Sequence, residues 1–275
     1  MFSNFVSIVL AALLFLGLQT ILQWPTFFYI FILIGIAVIL FLMWTIWRPR
    51  KKQKQLANKC FFYFSILILI FFLSAVLSMM FVRYGTLSFL VASFASILLL
   101  SFFYTLKKYF PSIRAVIVHG KSEHGPSLNE FFSRMVLFNV ATFFFFTSTL
   151  YGFVIFFRIS LWELLPLLFV VNVFLIKQLV FIKENFAHDP EEKKSGDFFN
   201  RSSIVIALLS SQIFIILTFL PVSFFSAGMI MSIFFGLSLL YMAKFLGKSE
   251  DWQLKFYQFL VGGIILAVSL IIFRI

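Results

Sequence analysis

Between Ser202 and Ala243 the chain carries no charged side chain. A bilayer-spanning helix needs about 20 apolar residues, so this stretch is too long for one crossing. Pro221, with Ser223, Ser226 and Gly228 close behind, supplies a turn near its middle. The stretch therefore reads as two spans joined by a hairpin.

The same grammar repeats through all 275 residues. The chain is 62% hydrophobic and only 12% charged, against roughly 25% charged in a soluble domain. Water could not tolerate that much apolar surface on a chain of this length, whereas lipid solvates it. The fold class expected is all-α: a polytopic integral membrane protein forming a single helical domain, 1–275. Nine spans are expected, at about 4–23, 27–47, 60–82, 87–106, 135–157, 161–182, 202–220, 224–243 and 254–273. The first apolar run lacks a basic leader and an Ala-x-Ala site, so it reads as a retained span. Trp24, Trp44, Trp47, Trp162 and Trp252 fall at expected membrane boundaries, where an amphipathic ring is most stable.

Charge orients the spans. Arg48, Arg50, Lys51, Lys52, Lys54 and Lys59 crowd one connection, and further basic connections centre near Lys121, Lys193 and Lys248. Cationic loops stay on the cytoplasmic face, and two spans separate each neighbouring pair. The N-terminus is then cytoplasmic and the C-terminus outside, in a cell membrane whose short loops suit a bacterial inner membrane. The formal net charge of +12 follows from this bias, so no nucleic-acid partner is expected. Arg48, Arg50, Lys51, Lys52, Lys54, Lys107 and Lys108 are candidates to contact anionic headgroups of the bilayer. A membrane-protein partner is the alternative use of that surface.

Local signals place a few helix ends. Ser127-Leu128-Asn129-Glu130 has capping-box spacing, a hydroxyl and a carboxylate each meeting an orphan N–H. Asp189-Pro190-Glu191-Glu192 reads as a short helix start that Ser195-Gly196 would end. The run Ile113–Val118 is expected to lie on the inner membrane surface. The 44 phenylalanines are expected mainly at lipid-facing positions, and Cys60 as a small buried hydrophobe.

Chemistry-bearing residues are sparse within the spans. Glu163 is the one acid in or beside an apolar run, at the first turn of span six, where it can pair with Arg158 or face water. A cation-coupled transporter normally keeps an ionisable group near mid-membrane. Lys177 is the one cation within a span, close enough to the inner end to snorkel. Asn139, Asn172 and Gln212 are intramembrane amides, which more often cross-bond helices than bind ligands. A polar pocket around Asn172, Lys177 and Gln212 is the intramembrane site expected if there is one. His119 and His124 lie in a polar loop without a third convergent metal ligand. The sequence has no His-Glu-x-x-His, no Gly-x-Ser-x-Gly and no phosphate-binding glycine loop.

Nine spans, a cytoplasmic N-terminus and polar loops after spans two and six give an outline that resembles the UbiA-type intramembrane prenyltransferases. The resemblance implies magnesium held by carboxylates in those two loops, with a prenyl diphosphate bound to it. Here the loop from Arg48 to Lys59 has no acid, and the later loop offers Asp189, Glu192 and Asp197 without the family's Asp-x-x-x-Asp spacing. The first expectation is accordingly a non-enzymatic membrane component or complex subunit, with no cofactor. The alternatives are a degenerate prenyltransferase or other lipid-handling enzyme using Asp189, Glu192 and Asp197 on magnesium, and a carrier or flippase lined by Asn172, Lys177 and Gln212.

Overall fold

A computed structural model describes residues 4–23, 27–47, 54–82, 85–119, 128–186 and 196–244. Among them every regular element is an α-helix. In order these are α1 (Asn4–Gln23), α2 (Phe27–Trp47), α3 (Lys54–Met79), α4 (Gly85–His119), α5 (Leu128–Phe157), α6 (Leu161–Phe186), α7 (Gly196–Thr218) and α8 (Phe224–Lys244). The ninth span, expected at 254–273, lies outside the described residues.

Five of these helices are long and apolar enough to cross a membrane, over Phe27–Ile46, Gln55–Met79, Gly85–Ile113, Glu130–Phe157 and Leu161–Asn185. Shorter apolar stretches lie in the other three, at Ile8–Thr20, Ser202–Thr218 and Phe224–Leu240. α2 gives the physical reason for reading such helices as spans. It buries Ile39 and Met43 but exposes Tyr29, Leu33, Ile34 and Phe41. Exposing those side chains to water would cost about 25 cal/mol for each Å² of apolar surface. In hydrocarbon that penalty disappears.

Several helices run past the expected span ends. α3 begins six residues before the expected Cys60, α5 starts at Leu128 and α6 continues to Phe186. α4 is one helix to His119 despite Pro111, so the expected surface run Ile113–Val118 is its last part, and Ile113 is fully buried. α5 starts at Leu128, and the expected cap, Ser127, lies outside the described residues. The carboxylate of Glu130, however, is taken by cations from two helices. Gly196, expected to end a short helix, opens α7.

The turns obey local chemistry. α7 stops at Thr218, three residues before Pro221, and Ser223 caps α8 by accepting a hydrogen bond from the Ser226 N–H at 3.1 Å. Between α5 and α6, Arg158 holds a left-handed backbone with φ 54°. That conformation costs a residue with a Cβ about 1–2 kcal/mol, part of which glycine gives back as unfolded-state entropy. Arg158→Gly should therefore stabilise the protein by roughly 0.5–1 kcal/mol. A small rise in thermal midpoint by scanning fluorimetry checks it.

The chain expected as one helical domain divides into two compact units, Met1–Phe138 and Asn139–Ile275, the division falling inside α5. In the first unit α3 is central. Its stripe Phe64, Leu67, Ile68, Phe71, Ala75 and Met79 is fully buried, and α2 and α4 pack beside it. α1 lies against α4, whose Ser88, Ala92 and Ala95 are buried and small enough to let backbones approach. Phenylalanine fills the wider gaps. Phe138 packs its ring, tilted, against Phe71 and Phe102 at centroid distances of 4.9 and 4.4 Å. Phe64, Phe71, Phe102, Phe103 and Phe131 are among the largest fully buried side chains. The expectation that phenylalanine mainly faces lipid holds in part: Phe27, Phe41, Phe89 and Phe219 are exposed, whereas these rings fill gaps between helices.

In the second unit α6 packs on α7 and α7 on α8. Ser203, Ala207, Ser210 and Phe214 form one fully buried face of α7 at helical spacing. The second half of α5 meets α8 through stacked Phe143 and Phe235 at 4.4 Å. It meets α7 through Tyr151, whose ring lies 4.4 Å from that of Phe214 and whose hydroxyl donates to the Phe214 carbonyl at 3.2 Å.

Candidate functional site

Two arrangements stand out, one in each unit. The first is a basic end. Phe131 of α5 touches both Phe64 of α3 and Tyr109 of α4, with centroids at 6.2 and 5.4 Å. These rings tie the start of α3, the later part of α4 and the start of α5 to one end of the unit. Lys59, Lys107, Lys108 and Arg134 all lie within a few residues of them, with Lys59 and Lys107 exposed. Glu130 bridges two of these cations, Lys108 Nζ at 3.1 Å and Arg134 Nη2 at 2.7 Å. All three side chains are more than a third exposed, so water screens both pairs and they add little to stability. Their effect is to order the end of α5 against α4 while leaving the region net positive. Of the headgroup candidates, Lys107 and Lys108 are in this end and Lys54 is the first residue of α3. Arg48, Arg50, Lys51 and Lys52 lie outside the described residues.

The second arrangement is a neutral polar interior. Asn139 of α5 donates its amide to Gln178 Oε1 of α6 at 2.8 Å, and both side chains are fully buried. Further along, Thr147 donates to its own helix at the Phe143 carbonyl, 2.8 Å away, and approaches the Gly228 carbonyl of α8 at 3.4 Å. Gly228 itself presses on Ser148: a Cβ there would sit 2.9 Å from the Ser148 backbone nitrogen. Asn172 is also fully buried, but neither of its amide atoms has a protein partner, and nor do Gln178 Nε2, Ser148 Oγ and Ser210 Oγ. A buried polar atom left without a partner costs about 1–3 kcal/mol. Five of them would consume much of the roughly 5–15 kcal/mol by which a domain is stable.

The residues expected around an intramembrane pocket are placed differently from one another. Asn172 is inside the second unit, whereas Lys177 and Gln212 are exposed on the outer faces of α6 and α7. The residues that accompany Asn172 in the interior are Asn139, Gln178, Ser148 and Ser210. Of these, Gln178 was legible: it and Asn139 are nearly equidistant from the turn that follows Phe157, so a hairpin sets them side by side. Glu163 and Arg158 are both exposed. Asp197 is in the first turn of α7, while Asp189 and Glu192 lie outside the described residues. Among the described residues no three His, Cys, Asp or Glu side chains converge as metal ligands would.

No family model matches this sequence, and neither a curated protein nor a solved structure is significantly similar to it.

Proposed function

We propose that the protein is a non-enzymatic multi-pass membrane component whose basic end engages anionic lipid headgroups. The observation that carries this reading is the ring contact among Phe64, Tyr109 and Phe131, which gathers cations from three helices at one end of the first unit. A cation near an anionic membrane surface contributes about 1 kcal/mol, so a cluster produces a clear preference for acidic lipid. In this reading the chain crosses a bacterial-type inner membrane nine times. Its N-terminus is cytoplasmic, its C-terminus is outside, and the basic connections all lie on the cytoplasmic side. The even number of spans between neighbouring basic connections supports that orientation.

The test is lipid retention. Purified from mixed phosphatidylglycerol and phosphatidylcholine, the protein should retain phosphatidylglycerol in excess, read by native mass spectrometry. Replacing Arg48, Arg50, Lys51, Lys52, Lys54, Lys107 and Lys108 together by Gln should reduce the excess at least fivefold without unfolding the helices. An unchanged lipid ratio would refute the headgroup reading. Loss of an acidic partner protein from the substituted protein, with lipid retention intact, would assign the basic end to that partner instead.

A further inference from the structure

We propose that the second unit contains a mid-membrane binding site for small uncharged hydrogen-bonding molecules, water in the first instance, centred on Asn172. This inference is independent of the lipid contact proposed for the first unit.

Depth is the first observation. Asn172 is midway between Leu161 and Lys183 on α6, which at 1.5 Å per residue puts it about 16 Å from either end. That is the middle of a hydrocarbon core roughly 30 Å thick. The second observation is chemical. Asn172 is fully buried and presents one unpartnered donor group and one unpartnered acceptor. Among the described residues, the polar side chains buried in this unit are all uncharged, so the site suits a molecule that both gives and receives hydrogen bonds and is itself neutral.

Register supplies the other walls. Tyr151 lies against Phe214, and one turn back along α5 and α7 come Thr147 and Ser210. From the Asn139–Gln178 bond, six residues along each helix lead to Phe145 and Asn172. Asn172 is therefore level with Phe145, two residues or about 3 Å from the level that Thr147 and Ser210 share, and the Ser210 hydroxyl is also unpartnered. Gln178, whose Nε2 is unpartnered, is six residues, or about 9 Å, nearer the Lys183 end of α6. Polar groups thus mark a route from that end of the helix down to Asn172. A water held by two to four such groups is ordinary in protein interiors, and in a bilayer a polar position at this depth is where solute sites occur.

The test reads local hydration. Cys60 is the only cysteine, so single-cysteine variants are made in Cys60→Ala. Methyl methanethiosulfonate is small and uncharged, reaches lipid and water alike, and reacts with the thiolate, which forms only where the sulfur is hydrated. Asn172→Cys should react at least tenfold faster than Leu168→Cys or Leu175→Cys, both fully buried on the same helix. Reaction at Asn172→Cys no faster than at those two positions would overturn the proposal. A second measurement covers a variant that folds poorly. If the site is dry, Asn172→Leu removes an unsatisfied amide and raises the thermal midpoint, which also overturns the proposal. If it is hydrated, Asn172→Leu lowers the midpoint, or prevents accumulation, more than Asn172→Ser does.

Discussion

Asn139→Leu should lower the stability of the protein by about 1–3 kcal/mol, and adding Gln178→Leu should recover most of the loss. The single substitution removes the donor from the 2.8 Å bond and leaves Gln178 Oε1 buried without it. The double substitution removes both amides of the pair, so neither is left stranded by loss of the other. Membrane amide pairs couple weakly on average, about 0.6 kcal/mol with a maximum near 1.7. Most of the single-variant cost is therefore the stranded partner and little of it the bond itself. Steric trapping or a thermal melt of the four proteins in one detergent gives the cycle. Equal losses from the single and double variants would show that the two amides do not act as a pair.

The second large effect is steric. Gly228→Ala drives a methyl group into Ser148 Oγ and places it 2.9 Å from its backbone nitrogen and 3.0 Å from its Cβ. Rotating the hydroxyl away relieves only the first contact, so α5 and α8 must separate. Overpacking of this kind costs about 1–3 kcal/mol. Ser148→Ala in the same chain should restore only a small part, because backbone nitrogen and Cβ remain. Gly85→Ala is the control: nothing lies within 4 Å of its added Cβ, and replacing glycine at this first residue of α4 stabilises by at most about 0.4–1 kcal/mol through the unfolded chain's lost freedom. Thermal midpoints of the three variants measure both directions at once.

Those two predictions rest on details that hydrophobic patterning could not supply. Uncharged runs and their breaks located α1 and α2 at their observed ends, and Pro221 with Ser223 marked the turn between α7 and α8. These features were legible because a charge or a proline decides a helix end within a residue or two. Helix length beyond the apolar run was not. α3 and α5 each gain one or two turns from polar residues that a membrane-span criterion discards, and the bridge from Glu130 to Lys108 and Arg134 lies in that addition. The role of phenylalanine was hidden for a different reason. Lipid and a protein interior are equally apolar, so the same ring satisfies either, and only the contacts of Phe138 with Phe71 and Phe102 separate them.

The intramembrane site shows the same division. Asn172 was visible as an amide in an apolar run, and it faces inward. Lys177 and Gln212 carry equally conspicuous side chains but occupy exposed positions on their helices. Rotation of a helix about its axis depends on which neighbours it meets, and runs as uniformly apolar as these carry little amphipathic signal to fix it. Ser148, Ser210 and Gly228 were hidden further still, being small residues whose importance comes from how closely the opposing backbone approaches.

The most direct test of the membrane account is single-cysteine labelling in Cys60→Ala with an impermeant maleimide applied from either face of the membrane. Lys59→Cys and Lys107→Cys should label only from the cytoplasmic face, and Ser160→Cys and Val222→Cys only from the outer face. A split within either pair, or all four positions on one face, would contradict it.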